Sequence, residues 1–120
     1  MILTNLMKTK TKNNMKIYLD DERATPDGWT RTYTPKETIE HLKSRKVTHL
    51  SLDHDLGDDK GIGTGYDVLL WLEEEQYNDH TFPIPNMAVH SANPAGVYRM
   101  NQAITSIIRR WQAGLVNHNQ

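Results

Sequence analysis

Apolar residues along this chain form short runs that alternate with helically spaced ones. Ile17-Tyr18-Leu19 passes straight into Asp20-Asp21-Glu22, the pattern of a buried strand with a polar C-terminal end. Pro26-Asp27-Gly28 predicts a turn, and Trp29 to Tyr33 has the composition of a second strand. Thr34 predicts a helix N-cap, with Pro35 at the first helical position and Glu37 placed to complete a capping box. Ile39 and Leu42 give that helix its apolar face. Val47 to Leu52 reads as a third strand running into Asp53-His54-Asp55. A loop rich in glycine follows, holding Gly57, Gly61, Gly63 and Gly65, and Thr64 is placed to cap a helix whose apolar side is Tyr66, Val68, Leu69 and Leu72. Beyond Pro83 and Pro85, Met87-Ala88-Val89 predicts a fourth strand ending at His90-Ser91. Asn93-Pro94 opens the last helix, on which Val97, Met100, Ile104, Ile107 and Trp111 share a face while Arg99, Arg109 and Arg110 point outward.

Strands alternating with helices predict an α/β domain, a parallel sheet of about four strands with right-handed crossovers. Ligands of such sheets bind outside the carboxyl ends of the strands. Three of the four predicted strands end in ionisable clusters, at Asp20 to Arg23, Asp53 to Asp55, and His90-Ser91. Neighbouring strands lie about 4.8 Å apart, so these ends are expected to form one small cleft.

Composition narrows the classes. The chain has 120 residues, 14 Lys and Arg against 15 Asp and Glu, a net charge of −1 and no Cys. That length suits one domain, and the near-neutral charge argues against a protein that coats duplex DNA or RNA. Without cysteine there are no disulfides, thiolate nucleophiles or Cys-based zinc sites, and no apolar run approaches the ~20 residues of a membrane span. A cytoplasmic domain is expected over residues 15–112, between a basic leader at 1–14, expected to be flexible, and a polar tail at 113–120.

Carboxylates facing one another raise each other's pKa and call for a cation. Asp20 and Asp21 with Asp53 would give a hard divalent ion, Mg²⁺ above all, its oxygen ligands; the alternative for the Asp20-Asp21-Glu22 run is a solvated turn. An unperturbed imidazole titrates near neutrality, which makes His54 and His90 candidates for a general base and general acid, or for residues that order the carboxylates. His41, His49, His80 and His118 fall on a helix surface, a strand entry, a loop and the tail, and are expected to be surface histidines. Arg23 is the preferred phosphate clamp and Arg99 a weaker one. Ser91 could bond a phosphate oxygen or cap the following helix, and the Asn93 helix start offers N–H groups to an anion. The glycine loop is neither a Walker A motif nor an EF-hand.

Lys16-Ile17-Tyr18-Leu19-Asp20-Asp21-Glu22-Arg23, Leu50-Ser51-Leu52-Asp53 and His90-Ser91-Ala92 resemble the strand ends of response-regulator receiver domains. More specifically, Leu19 to Arg23 with Pro26, Gly28 and Trp29, Ser51 to Gly57, Thr64-Gly65-Tyr66-Asp67 and His90 to Pro94 resemble the cyclic-phosphate processing receiver domain family. The likeness runs from Met15 to about Trp111. It implies a small flavodoxin-like fold, here without the helix between strands one and two and without the fifth strand and its lysine. It also implies hydrolysis of a cyclic phosphodiester, such as a 2′,3′-cyclic phosphate at an RNA end or in a nucleotide. Asp20, Asp21 and Asp53 would hold Mg²⁺, Asp55 would orient a water, His54 and His90 would exchange protons, and Arg23, Ser91 and Asn93 would hold the phosphoryl group. The alternatives are a non-catalytic module that binds a nucleotide or protein partner, and a receiver phosphorylated on Asp53.

Overall fold

In the computed structural model, residues 14–56 and 61–118 are described. The leader expected at 1–14 therefore lies almost wholly outside the described residues, as do Gly57, Asp58 and Asp59 of the glycine loop. The chain runs β1 (Met15–Leu19), β2 (Thr30–Thr32), α1 (Pro35–Leu42), β3 (Val47–Leu52), α2 (Gly65–Asn78), β4 (Asn86–Val89) and α3 (Pro94–His118). The four strands make one sheet in the order β2-β1-β3-β4, and every pairing is parallel. This is the small receiver-like α/β fold, with a turn in place of a helix between β1 and β2.

Register decides which side chains share a face. Ile17 pairs with Leu50 and Leu19 with Leu52, and all four are buried in one apolar cluster with Leu42, Leu69, Leu72, Met100 and Ile107. All three helices thus contribute to the core on the same face of the sheet. Thr32, across from Leu19, bonds the Thr38 hydroxyl of α1 at 2.6 Å. The opposite face has no helix over it among the described residues. There Tyr18 meets Trp29 edge-on at 6.2 Å, Trp29 meets His49 at 6.3 Å, and the Lys16 ammonium lies 5.8 Å from the Trp29 ring.

Local chemistry sets the helix starts. Thr34 and Thr64 accept backbone N–H bonds from Glu37 and Tyr66, and Asn93 Oδ1 accepts from Gly96. The capping box expected at Glu37 is not reciprocal, because its carboxylate takes the Thr34 hydroxyl (3.3 Å) instead of a backbone N–H. A complete box forms at Thr64 and Asp67. Two further expectations are corrected. Strand β2 is shorter than Trp29 to Tyr33, because Trp29 turns in over β1. The last helix does not end near residue 112 but continues to His118, since Gly114 weakens a helix by only about 1 kcal/mol and no proline follows. Trp111 is 38% exposed, one turn past the buried Ile107. None of the described helices is long and apolar enough to cross a membrane.

Candidate functional site

The carboxyl ends of β1, β3 and β4 meet in a cleft of about 300 Å³ lined by Asp20, Asp21, Glu22, Arg23, Asp53, Asp55, Ser91 and Ala92. The central strands β1 and β3 deliver the acids. Leu19 and Leu52 are paired, so Asp20 and Asp53 leave adjacent strands at the same level, and Asp53 N–H bonds the Leu19 carbonyl at 3.0 Å. One oxygen from each of Asp20, Asp21 and Asp53 lies within 4.8 Å of the others.

Asp20 is 1% exposed and fully engaged. Its Oδ1 accepts backbone N–H bonds from Glu22 (2.8 Å) and Arg23 (3.0 Å), so the acidic turn is folded around its carboxylate. Its Oδ2 lies 3.0 Å from His90 Nε2. Burial pushes its pKa up, but the two N–H bonds and His90 overcome this and hold it below the ordinary value. Asp53 goes the other way. Burial and the charge of Asp20 raise it, against a bond from Ser91 and one from the His54 N–H. Two carboxylates of opposite tendency a strand apart are what a hard cation would reconcile, and the three-oxygen donor set suits Mg²⁺.

The two histidines do not share the cleft as an exchanging pair. His90 is stacked flat on Tyr18, with ring centres 4.1 Å apart, and both nitrogens are used. A carboxylate only accepts, so Nε2 donates to Asp20 while Nδ1 accepts from the Ser51 hydroxyl at 2.6 Å. Burial lowers the pKa of His90 despite Asp20, which fits this neutral tautomer. His54 lies against the first turn of α3, where a Cβ on Gly96 would come within 2.6 Å of its ring. Its Nδ1 donates to Asp55 at 2.8 Å. Among the described residues neither imidazole lines the cleft; each meets it through an aspartate.

Asp55 does line the cleft. The His54 bond holds its pKa below the ordinary value, and Asn93 Nδ2 approaches its second oxygen at 3.4 Å. Arg23 lines the same cleft, its Nη1 donating to the His90 carbonyl at 2.6 Å. Ser91 bonds Asp53 and also accepts the Asn93 N–H, which makes it a brace between β4 and β3 as well as a cleft residue. Asn93 caps its own helix. Arg99 is not at the cleft; its guanidinium lies 6.0 Å from the Tyr66 ring.

Several contributors escape a reading of the sequence. Arg31 donates to the Asp20 carbonyl and to Thr25, each at 2.7 Å, pinning the far side of the acidic turn. Gly65 starts α2 so close to Asp53 that a Cβ there would fall 2.0 Å from the Asp53 carbonyl oxygen. Glycines beside a predicted strand end were the available signal for such an approach.

A four-stranded parallel sheet with an acid cluster at its carboxyl edge defines a receiver-like domain. The family model for the cyclic-phosphate processing receiver domain matches residues 15–106, and the chain belongs to that family. No curated protein and no solved structure matches the chain.

Proposed function

We propose that this domain is a metal-assisted phosphodiesterase that opens a cyclic phosphate, of the 2′,3′ type found at an RNA end or in a nucleotide. The observation that carries the reading is the convergence of Asp20, Asp21 and Asp53 from two strands in a cleft that Arg23 and Asp55 also line. The three aspartates would hold Mg²⁺, which when bound supplies charge to neutralise the phosphodiester. Asp55, kept ionised by His54, accepts a hydrogen bond from the attacking water and so orients it. Arg23 offers its remaining N–H groups to the phosphoryl oxygens, with Ser91 and the Asn93 helix start beside them. Water adds to phosphorus and passes one proton by way of Asp55 to solvent, one ring P–O bond breaks, and solvent entering past the exposed Asp55 returns a proton to the leaving oxygen. On this reading His54 and His90 are positioning residues, acting through Asp55 and Asp20, in place of the base and acid expected from their position at the strand ends.

The test is incubation of the protein with 2′,3′-cyclic mononucleotides and Mg²⁺, with and without chelator, beside Asp53→Asn. Chelator-sensitive ring opening that is lost in the variant is expected. No opening at any neutral or mildly acidic pH would overturn it. Asp53 at the end of β3 also occupies the place of a receiver's phospho-acceptor. Stable labelling of Asp53 by acetyl phosphate would favour that second reading, against which stands the lack of any lysine on the cleft wall among the described residues.

A further inference from the structure

The cleft accounts for a phosphate but not for what carries it. On its α3 side the wall ends at Ala92, and three residues later Ala95 belongs to the wall of a second cavity, of about 540 Å³, between α2 and α3. That volume lies within the usual range of small-ligand pockets, roughly 300–1,000 Å³. Its walls carry Tyr66, Tyr98, Arg99, Glu73 and Gln102. Tyr98 is 68% exposed, so its ring face is open to a ligand, while Arg99 sits over Tyr66. Aromatic faces and a guanidinium plane are what unpaired nucleobases stack on, and the Gln102 amide and Glu73 carboxylate can pair with base edges. Both cavities also share their framework. Gly65, which precedes Tyr66, abuts the Asp53 backbone, and Gly96, between Ala95 and Tyr98, abuts His54.

We infer that this groove receives the nucleobase of the substrate whose phosphate occupies the acidic cleft. The inference rests on the hydrolytic reading for the phosphate's place, and it gives the base of that nucleotide or RNA-terminal substrate a site of its own. Tyr98 supplies the main stacking face. Tyr66, braced by Arg99, closes the other side.

The experiment measures binding in Mg²⁺ by calorimetry, using adenosine 3′-monophosphate and inorganic phosphate as probes. Wild type is compared with Tyr98→Ala and Tyr98→Phe, substitutions at an exposed side chain that leave the core intact. Tyr98→Ala should weaken the nucleotide roughly fivefold to a hundredfold, the span of a lost base stack, and leave inorganic phosphate unchanged, while Tyr98→Phe retains nucleotide affinity. Wild type that binds the nucleotide no more tightly than phosphate, or not at all, overturns the inference. So does unchanged nucleotide affinity in Tyr98→Ala. Hydrolysis separates the two proposals. Ring opening of glycerol 1,2-cyclic phosphate as efficient as that of a nucleoside 2′,3′-cyclic phosphate would sink the groove and keep the hydrolase. Tyr98-dependent nucleotide binding without any ring opening would sink the hydrolase and keep the groove.

Discussion

On the helix-covered face of the sheet, Ile17, Leu19, Leu50 and Leu52 sit in one apolar cluster, whereas on the other face the same strands present Tyr18 and Ser51, and His90 lies across them. The first face is held by area and packing, which are tolerant of direction. The second is held by hydrogen bonds and a ring stack, which are not. Ser51, His90 and Asp20 form one chain across three strands, each polar atom matched to a partner. A shape-filled core gives the fold its stability, and the bonded face gives the acids their orientation. The difference predicts that substitutions on the two faces fail in different ways.

The largest stability loss should come from the packed face. Leu52→Ala removes a fully buried side chain from the centre of the cluster and should cost about 2–5 kcal/mol in urea unfolding. A loss under about 1 kcal/mol would mean that the helices do not depend on this strand. On the bonded face, His90→Ala deprives the buried Asp20 carboxylate of one charged hydrogen bond, for about 1.5–3 kcal/mol. It should also weaken Mg²⁺ roughly 10- to 100-fold, as removal of a ligand's supporting partner does. Unfolding combined with Mg²⁺ calorimetry separates the faces. A stability loss with unaltered Mg²⁺ affinity would show that Asp20 keeps its place without His90.

The packed face was legible in the sequence and the bonded one only at its ends. Val47–Leu52 is predicted to the residue because Val47, Leu50 and Leu52 supply an apolar side that stops at the acids beginning with Asp53, and Thr34, Thr64 and Asn93 announce their helices through capping chemistry. Acids at the ends of β1 and β3 suffice to place a cleft. The role of His90 is another matter. Its ring crosses β3 to reach Asp20 on β1, and that contact depends on the order β2-β1-β3-β4, which no periodicity encodes. The same holds for Arg31 and for Arg99, whose partners lie on other elements. Gly65 is one glycine among several in its loop and Gly96 carries no signal of its own; the close approaches that require them appear only once α2 and α3 are packed against Asp53 and His54.

Glycines sharpen the comparison further. Gly65→Ala forces a methyl into the Asp53 carbonyl and must push the start of α2 off the strand end, at about 1–3 kcal/mol. Gly114→Ala, in α3 with open space around the added methyl, should instead stabilise by up to about 1 kcal/mol. Thermal melts of both variants test this. Equal effects would show that the contact between α2 and β3 is loose.

The effect most informative about the site is one whose sign reverses with conditions. Asp53 is raised in the folded protein, first by burial and then by the charge of Asp20, so the folded chain holds that proton more tightly than the unfolded chain does. Its contribution to stability is therefore greatest below the unfolded carboxyl value of about 3.9, and declines as pH rises through the folded one. Asp20 is lowered, so its contribution is present above the unfolded value and is lost as pH falls through the folded one. Asp53→Asn removes the first dependence and keeps the second. In chelator at neutral pH the variant should thus melt above wild type, with the gap closing on acidification as wild-type Asp53 takes up its proton. Adding Mg²⁺ should reverse the order, since an ion at a hundred times its dissociation constant stabilises wild type by about 2.7 kcal/mol and a variant short of a ligand by less. Melting curves across pH, with and without Mg²⁺, measure both signs on one pair of proteins. A variant that melts below wild type in chelator would mean that Ser91 and the His54 N–H hold the Asp53 carboxylate more strongly than Asp20 repels it, and the acid pair would then need no cation to stay together.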